Sequence, residues 1–203
     1  MDTRWKHPFT CVVSGPTGCG KSVFVFKMLD NLAEMITPTP HKVIYCYGEY
    51  QPAFNKYPWV EFHEGLPKSE MFDGTPTLVI IDDLMNETND IVANLFTKIS
   101  HHRSVSVIYI TQNVFHKNKQ SRTISLNTHY MVLFKSPRDA GQIAVLGRQL
   151  YPEHNKFLVE AFKDATSTPH SYLLLDLRPE TGENYRVRSN IFVGDQQIVY
   201  QPK

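Results

Sequence analysis

GPTGCGKS, Gly15–Ser22, is the stretch on which the reading of this chain turns. It fits the pattern G-x-x-x-x-G-K-[ST] at every fixed position. Gly15, Gly18 and Gly20 let the backbone turn with its amide N–H groups facing inward. The whole loop, with Pro16, Thr17 and Cys19 at its variable positions, is then a cradle for a polyphosphate. Lys21 is placed to reach the β- and γ-phosphates of ATP, and the Ser22 hydroxyl to ligate Mg²⁺. Phe9–Gly15 before the loop is apolar enough for a buried strand. Ser22–Ile36 after it reads as a helix, with Val23, Phe26, Leu29 and Leu32 spaced for one apolar stripe. The phosphates would then sit on the positive end of a helix. A glycine-rich turn that binds nothing is the plainer alternative. It leaves the coincidence of strand, loop, Lys-Ser and helix unexplained.

Further along, strand-like runs recur with helical segments between them. Lys42–Gly48, Val60–Gly65, Thr77–Asp83, Ser104–Gln112 and His129–Lys135 read as strands. Asn86–Ser100 reads as a helix with Ile91, Leu95 and Ile99 at spacing four. Ser136 is placed to cap a helix reaching Leu150, with Pro137 at its first position. Another helical pattern starts at Pro152 and reaches about Thr166. Ser171–Leu177 and Tyr185–Val193 look like a final pair of strands. Near-continuous apolar strands alternating with helices predict an α/β fold with a mainly parallel sheet covered on both faces.

The chain has 203 residues, which suits one domain. Residues 1–8 read as an N-terminal arm and 194–203 as a C-terminal tail. No apolar run approaches the roughly 20 residues needed to span a bilayer, so no membrane role is expected. The N-terminus lacks a signal-peptide apolar region, which predicts a soluble intracellular protein. Three cysteines with no paired spacing argue against a disulfide framework. Cys11 and Cys46 read as small core residues. Net charge is only +1, so composition alone does not announce a nucleic-acid binder. Its distribution says more: Lys98, Arg103, Lys117, Lys119 and Arg122 fall in a window without a single Asp or Glu. Such a stripe can neutralise backbone phosphates, or it can be a solvated face with no partner.

Two further places carry chemistry. The run TLVIIDD ends in Asp82 and Asp83, and an aspartate at the carboxyl end of a buried strand is where a nucleoside triphosphatase holds Mg²⁺. Asp82 fits that role, and Asp83 falls where a general base would polarise the attacking water, with Glu87 as its rival. A capping aspartate at a strand–loop junction would explain one acid but not two. SVSVIYITQN closes on a polar cluster at a strand's carboxyl rim, where open α/β sheets bind ligands. Gln112 is the residue there best suited to sense a γ-phosphate and orient water.

Phosphate loop, I-I-D-D, and an arginine followed by an apolar strand ending in T-Q resemble, in that order, the FtsK–HerA superfamily of DNA-pumping ATPases. The likeness is closer to its viral branch, the poxvirus-like genome-packaging ATPases of large DNA viruses and of Polinton/adintovirus-type elements. IIDDLM (Ile80–Met85), HHRSVSVIYITQNVFH (His101–His116), RTISLNTHYMVLFKSPRDAGQI (Arg122–Ile143) and KDATSTPHSYLLLDL (Lys163–Leu177) carry it. The resemblance implies a P-loop NTPase three-layer sandwich of the RecA/FtsK type. It implies an ATPase working as a ring of five or six subunits, with nucleotide between neighbours, on double-stranded DNA without sequence preference. Arg103 holds the position of an arginine finger reaching the neighbour's γ-phosphate; a surface arginine near histidines is its plainer reading. Asp83 departs from the glutamate often found there in the wider superfamily. The loop Phe115–Arg122 would push on DNA through Lys117, Lys119 and Arg122. A capsid component would be the docking partner, and the host-cell site of virion assembly, nucleus or cytoplasmic factory, the place of action. A P-loop nucleoside or nucleotide kinase and a non-catalytic assembly scaffold are the rival readings. No compact arginine-rich lid supports the first.

Overall fold

The computed structural model describes residues 2–82, 84, 89–99, 104–113 and 119–203. Strand β1 is Trp5–Lys6 and β2 is Thr10–Ser14. Helix α1 is Lys21–Asp30, α2 is Leu32–Met35, and the short β3 is Ile36–Thr37. Strands β4 (Lys42–Tyr47), β5 (Glu61–Glu64) and β6 (Thr77–Asp82) follow. Helix α3 (Asn89–Asn94) runs into a wider π-helical turn over Leu95–Ile99. Strand β7 (Val105–Thr111), helix α4 (Lys119–Leu126) and strand β8 (Tyr130–Phe134) come next. Helices α5 (Ala140–Leu150) and α6 (Phe157–Ala165) lead to strands β9 (Tyr172–Asp176), β10 (Val187–Ser189) and β11 (Ile198–Tyr200).

Among the described residues the main sheet has nine strands, in the order β11-β10-β9-β8-β2-β7-β6-β4-β5. From β8 to β5 every pairing is parallel, and β9, β10 and β11 add on antiparallel. Alternation along the strands divides the core in two. Cys11, Val13, Tyr45, Ile80 and Ile108 point to one face, where Phe24, Val25 and Met28 of α1 cover them. Val12, Ile44, Cys46, Ile81 and Val107 point to the other, covered by α3, α5 and α6 through Val92, Ile143, Leu158 and Phe162. Both faces being buried is why the strands read as unbroken apolar runs.

The helices depart from their predicted stripes. Phe24, Val25, Met28 and Leu29 are the buried positions of α1, and Val23 is 68% exposed. The predicted single helix over Ser22–Ile36 breaks at Asn31, whose side-chain amide donates to the Lys27 carbonyl oxygen at 2.8 Å. A short polar side chain competing for backbone groups in this way ends the turn. In α3 and the turn after it the buried positions are Val92, Leu95 and Phe96, and Ile91 is 43% exposed. The helix expected from Pro152 starts at Phe157, and Ser136 makes no side-chain cap.

The stretch read as an arm sends one side chain into the core. Trp5 is buried, stacked on Tyr130 with ring centroids 4.4 Å apart, and β1 pairs in parallel with β3. Part of the stretch read as a tail is β11, an edge strand paired with β10. Arg188 of β10 is buried against Asp176, Nη2 to Oδ2 at 3.0 Å, and Thr181 donates to the other carboxylate oxygen. No helix among the described residues is long and apolar enough to cross a membrane.

Candidate functional site

Strand β2 runs up the middle of the sheet and delivers the glycine-rich loop at its carboxyl end. A Cβ on Gly15 would lie 2.7 Å from Cys19 Sγ and 2.7 Å from Phe134 Cβ, so the loop leaves the sheet where no side chain fits. Gly20, at φ 108°, turns the chain left-handed into the first turn of α1. The Lys21 ammonium donates to the carbonyl oxygens of Gly15 (2.6 Å) and Pro16 (3.0 Å), folding over the loop from inside. Cys19 is half-buried, and burial pushes its thiol up against the smaller opposing pull of Lys21. A protonated thiol is a poor nucleophile. The Cys11 and Cys46 thiols are core residues; burial raises both, Cys46 to about 12.

Strand β7 lies between β2 and β6, with Ser14 opposite Thr111 and Ile110 opposite Asp82. The Gly15 N–H donates to the Thr111 carbonyl oxygen at 3.3 Å, which ties the loop to the end of β7. Gln112 therefore emerges between the loop and Asp82. All three border one cleft of about 630 Å³, with Thr17, Gly18, Gly20, Lys21 and Ser22 on one wall and Tyr47, Glu49 and Gln51 on another. Pro16 and Cys19 belong to the loop without lining the cleft.

Asp82, a carboxylate bordering the cleft, is 7% exposed. The fully buried Tyr45 hydroxyl donates to its Oδ2 at 2.6 Å. Burial and then the adjacent carboxylate push the Tyr45 hydroxyl far above its ordinary value, so it stays protonated and donates. Ser22 and Asp82 offer oxygen donors, a hydroxyl and a carboxylate, of the kind a hard cation such as Mg²⁺ takes. Among the described residues no three His, Cys, Asp or Glu side chains cluster as a metal site.

Lys21, Ser22, Asp82 and Gln112 are thus brought together. Arg122 is exposed on α4 and does not line the cleft. Lys119 opens α4, with its side chain outside those described. Asp83, Glu87, Arg103 and Lys117 lie outside the described residues. Sequence reasoning missed Tyr45, whose hydroxyl is invisible within an apolar run, and His170. His170 follows a turn before β9, and its Nδ1 lies 3.3 Å from the Cys19 carbonyl oxygen. A Thr-Pro-His turn just ahead of an apolar strand was the available signal.

A phosphate-type loop leaving the central strand of a mainly parallel sheet, with helices on both faces and Asp82 one strand beyond Gln112, defines a P-loop NTPase fold. A family model described as RNA helicase matches residues 11–128, more than half of the chain, and the chain belongs to that family. Among solved structures it is similar to the genome packaging NTPase B204 from Sulfolobus turreted icosahedral virus 2. The sulfate complex gives a TM-score of 0.54 at 12% identity, covering 97% of each chain. The ATP-gammaS complex gives 0.54 at 12%, covering 96% of this chain and 97% of that one. The AMPPCP complex gives 0.56 at 11%, covering 96% and 98%. At that identity the likeness is one of fold. No curated protein matches.

Proposed function

We propose that this chain is an ATP-hydrolysing motor that translocates double-stranded DNA in viral genome packaging, and that it does so within the FtsK–HerA superfamily and its Polinton/adintovirus-type branch. The observation that carries the reading is the convergence of Lys21, Asp82 and Gln112 on one cleft at the carboxyl ends of adjacent strands. A fold shared with the genome packaging NTPase B204 supports it.

In this reading the Lys21 ammonium exchanges the Gly15 and Pro16 carbonyl oxygens for the β- and γ-phosphate oxygens of ATP. The loop amides hold the remaining charge, and the first turn of α1 adds its positive end. Ser22 and Asp82 would hold Mg²⁺, which would supply positive charge to neutralise the charge developing on the phosphates. The Tyr45 hydroxyl fixes which way the Asp82 carboxylate faces. Gln112 orients the attacking water, and Asp83, with Glu87 as the rival, accepts its proton. Arg103 from a neighbouring subunit completes the site, in a ring of five or six subunits. An arginine of this kind is worth about 10³–10⁵ in rate in related phosphoryl transfer. Lys117, Lys119 and Arg122 meet DNA phosphates, so engagement is sequence-independent and weakened by salt. The motor docks on a capsid component at the site of virion assembly.

The test is phosphate release from ATP with and without double-stranded DNA, for the wild type and Arg103→Ala, together with the mass of the assembly. DNA stimulation lost in Arg103→Ala and partly restored on mixing with Lys21→Ala supports the motor. No stimulation in the wild type refutes it. The family match favours one second reading, an RNA-directed motor, for which duplex RNA would stimulate turnover where DNA does not.

A further inference from the structure

The phosphate cleft does not stop at the loop. Gly20, Val23 and His170 line it and also line a second groove of about 300 Å³, walled further by Lys27, Asn190 and Phe192. That is the lower end of the size range of small-molecule sites. Asp82 and Gln112 border the cleft and not the groove. They come from β6 and β7, on one side of β2. His170 precedes β9, on the other side, beyond β8. A triphosphate with its reacting end toward Asp82 and Gln112 would then have its other end over Gly20, beside the groove.

The walls offer an apolar side chain and an aromatic ring. Val23 is 68% exposed on the first turn of α1. The His170 imidazole lies so near the loop that a Cβ on Gly20 would be 3.3 Å from its Nδ1. His170 has φ 62°, a left-handed conformation that a non-glycine residue keeps only where its surroundings over-determine it. Its Nδ1 is 3.3 Å from the Cys19 carbonyl oxygen, so the ring is held against the loop it overhangs. Lys27 also lines the groove, with Nζ 3.0 Å from Asp195 Oδ2 and 4.6 Å from the centre of the Phe192 ring.

We propose that this groove receives the nucleoside of the bound triphosphate, its base held by face contact between His170 and Val23. The proposal rests on the triphosphate reading of the cleft given above. Contact through ring faces is tolerant of base identity, because every base has a π-face, and favours the larger ring system. ATP and GTP are therefore bound alike, and CTP less tightly.

The experiment is calorimetric binding to the intact protein, in the presence of Mg²⁺, of ATP, GTP, CTP and tripolyphosphate. The wild type is expected to bind ATP about tenfold tighter than tripolyphosphate, the scale of one stacked base. His170→Ala and Val23→Ser should each bring ATP about three- to tenfold closer to tripolyphosphate while tripolyphosphate binds as before. The unchanged tripolyphosphate affinity shows that loop and fold are intact. Equal affinity of ATP and tripolyphosphate in the wild type overturns the proposal, as does CTP binding as tightly as ATP. An unaltered ATP affinity in either variant also overturns it, as does an equal loss for both ligands. A wild type that binds neither ATP nor tripolyphosphate fails at the cleft itself, which separates that outcome from a failure of the groove.

Discussion

Replacing Tyr45 by Phe removes one oxygen atom and tests how the Asp82 carboxylate is held. The Tyr45 ring packs between Phe26 and Phe54, with centroids 5.9 Å and 5.2 Å away, and a Phe ring fills the same space. No cavity term enters. The lost contact is a 2.6 Å hydrogen bond from a buried hydroxyl to a carboxylate that is 7% exposed. Hydrogen bonds to charged groups contribute about 1.5–3 kcal/mol net, and the buried geometry argues for the upper half. For a chain of this size each kcal/mol lowers Tm by about 2–4 °C, so Tyr45→Phe should lower it by about 4–12 °C. A thermal melt reads this directly. A double-mutant cycle with Asp82→Asn isolates the pair, because the neutral amide accepts a weaker bond. We expect a coupling of at least about 1 kcal/mol. A second readout follows from orientation. Loss of an outer partner of a metal-ligating carboxylate weakens metal affinity by about 10–100-fold, visible as a raised Mg²⁺ requirement for turnover. If Tyr45→Phe melts like the wild type and its effect adds to that of Asp82→Asn without coupling, the hydroxyl does not hold the carboxylate and the reasoning fails.

Gly15→Ala should displace the loop, since its Cβ would stand 2.7 Å from both Phe134 Cβ and Cys19 Sγ. Stability should fall by about 1–3 kcal/mol in a urea titration, with triphosphate affinity reduced as well. Arg188→Ala leaves the Asp176 carboxylate buried without its partner and should cost about 3–5 kcal/mol by the same titration, whereas Arg188→Met with Asp176→Leu should recover most of that loss. His7 sets a pH dependence. Burial is the main cause holding its imidazole below the ordinary value, with Nδ1 2.6 Å from Ser106 Oγ. The unfolded chain therefore takes up the proton first as pH falls, so stability present above about pH 6.5 declines below it. Urea midpoints at pH 7.5, 6.5 and 5.5 measure the decline, and His7→Asn should flatten it.

How much was legible depended on what kind of signal each part leaves. The loop at Gly15–Ser22, the strand ending at Asp82 and the strand ending before Gln112 announce themselves by local pattern. Their order in space follows from parallel pairing, which is why Gln112 borders the same cleft as the loop and Asp82. Helix faces were read less well. Val23 and Ile91 fit a period but face outward, because strand neighbours and not spacing alone decide which stripe is covered. Trp5 and Tyr130 lie far apart in sequence, and nothing local says that they stack. Tyr45 reads as one more apolar residue in KVIYCYG until its hydroxyl is seen on Asp82. His170 acquires meaning only from a loop contributed by a distant part of the chain.

The burial of Trp5 has an optical consequence. The chain holds two tryptophans, and the other, Trp59, is 52% exposed. Trp5 is stacked on Tyr130 and lies 6.5 Å from Phe24, a residue of the helix that begins at Lys21. Its emission should be blue-shifted and shielded from iodide, whereas that of Trp59 should be quenched. With Trp59 replaced by Phe, the remaining fluorophore becomes a built-in reporter of any shift of that helix when a ligand arrives.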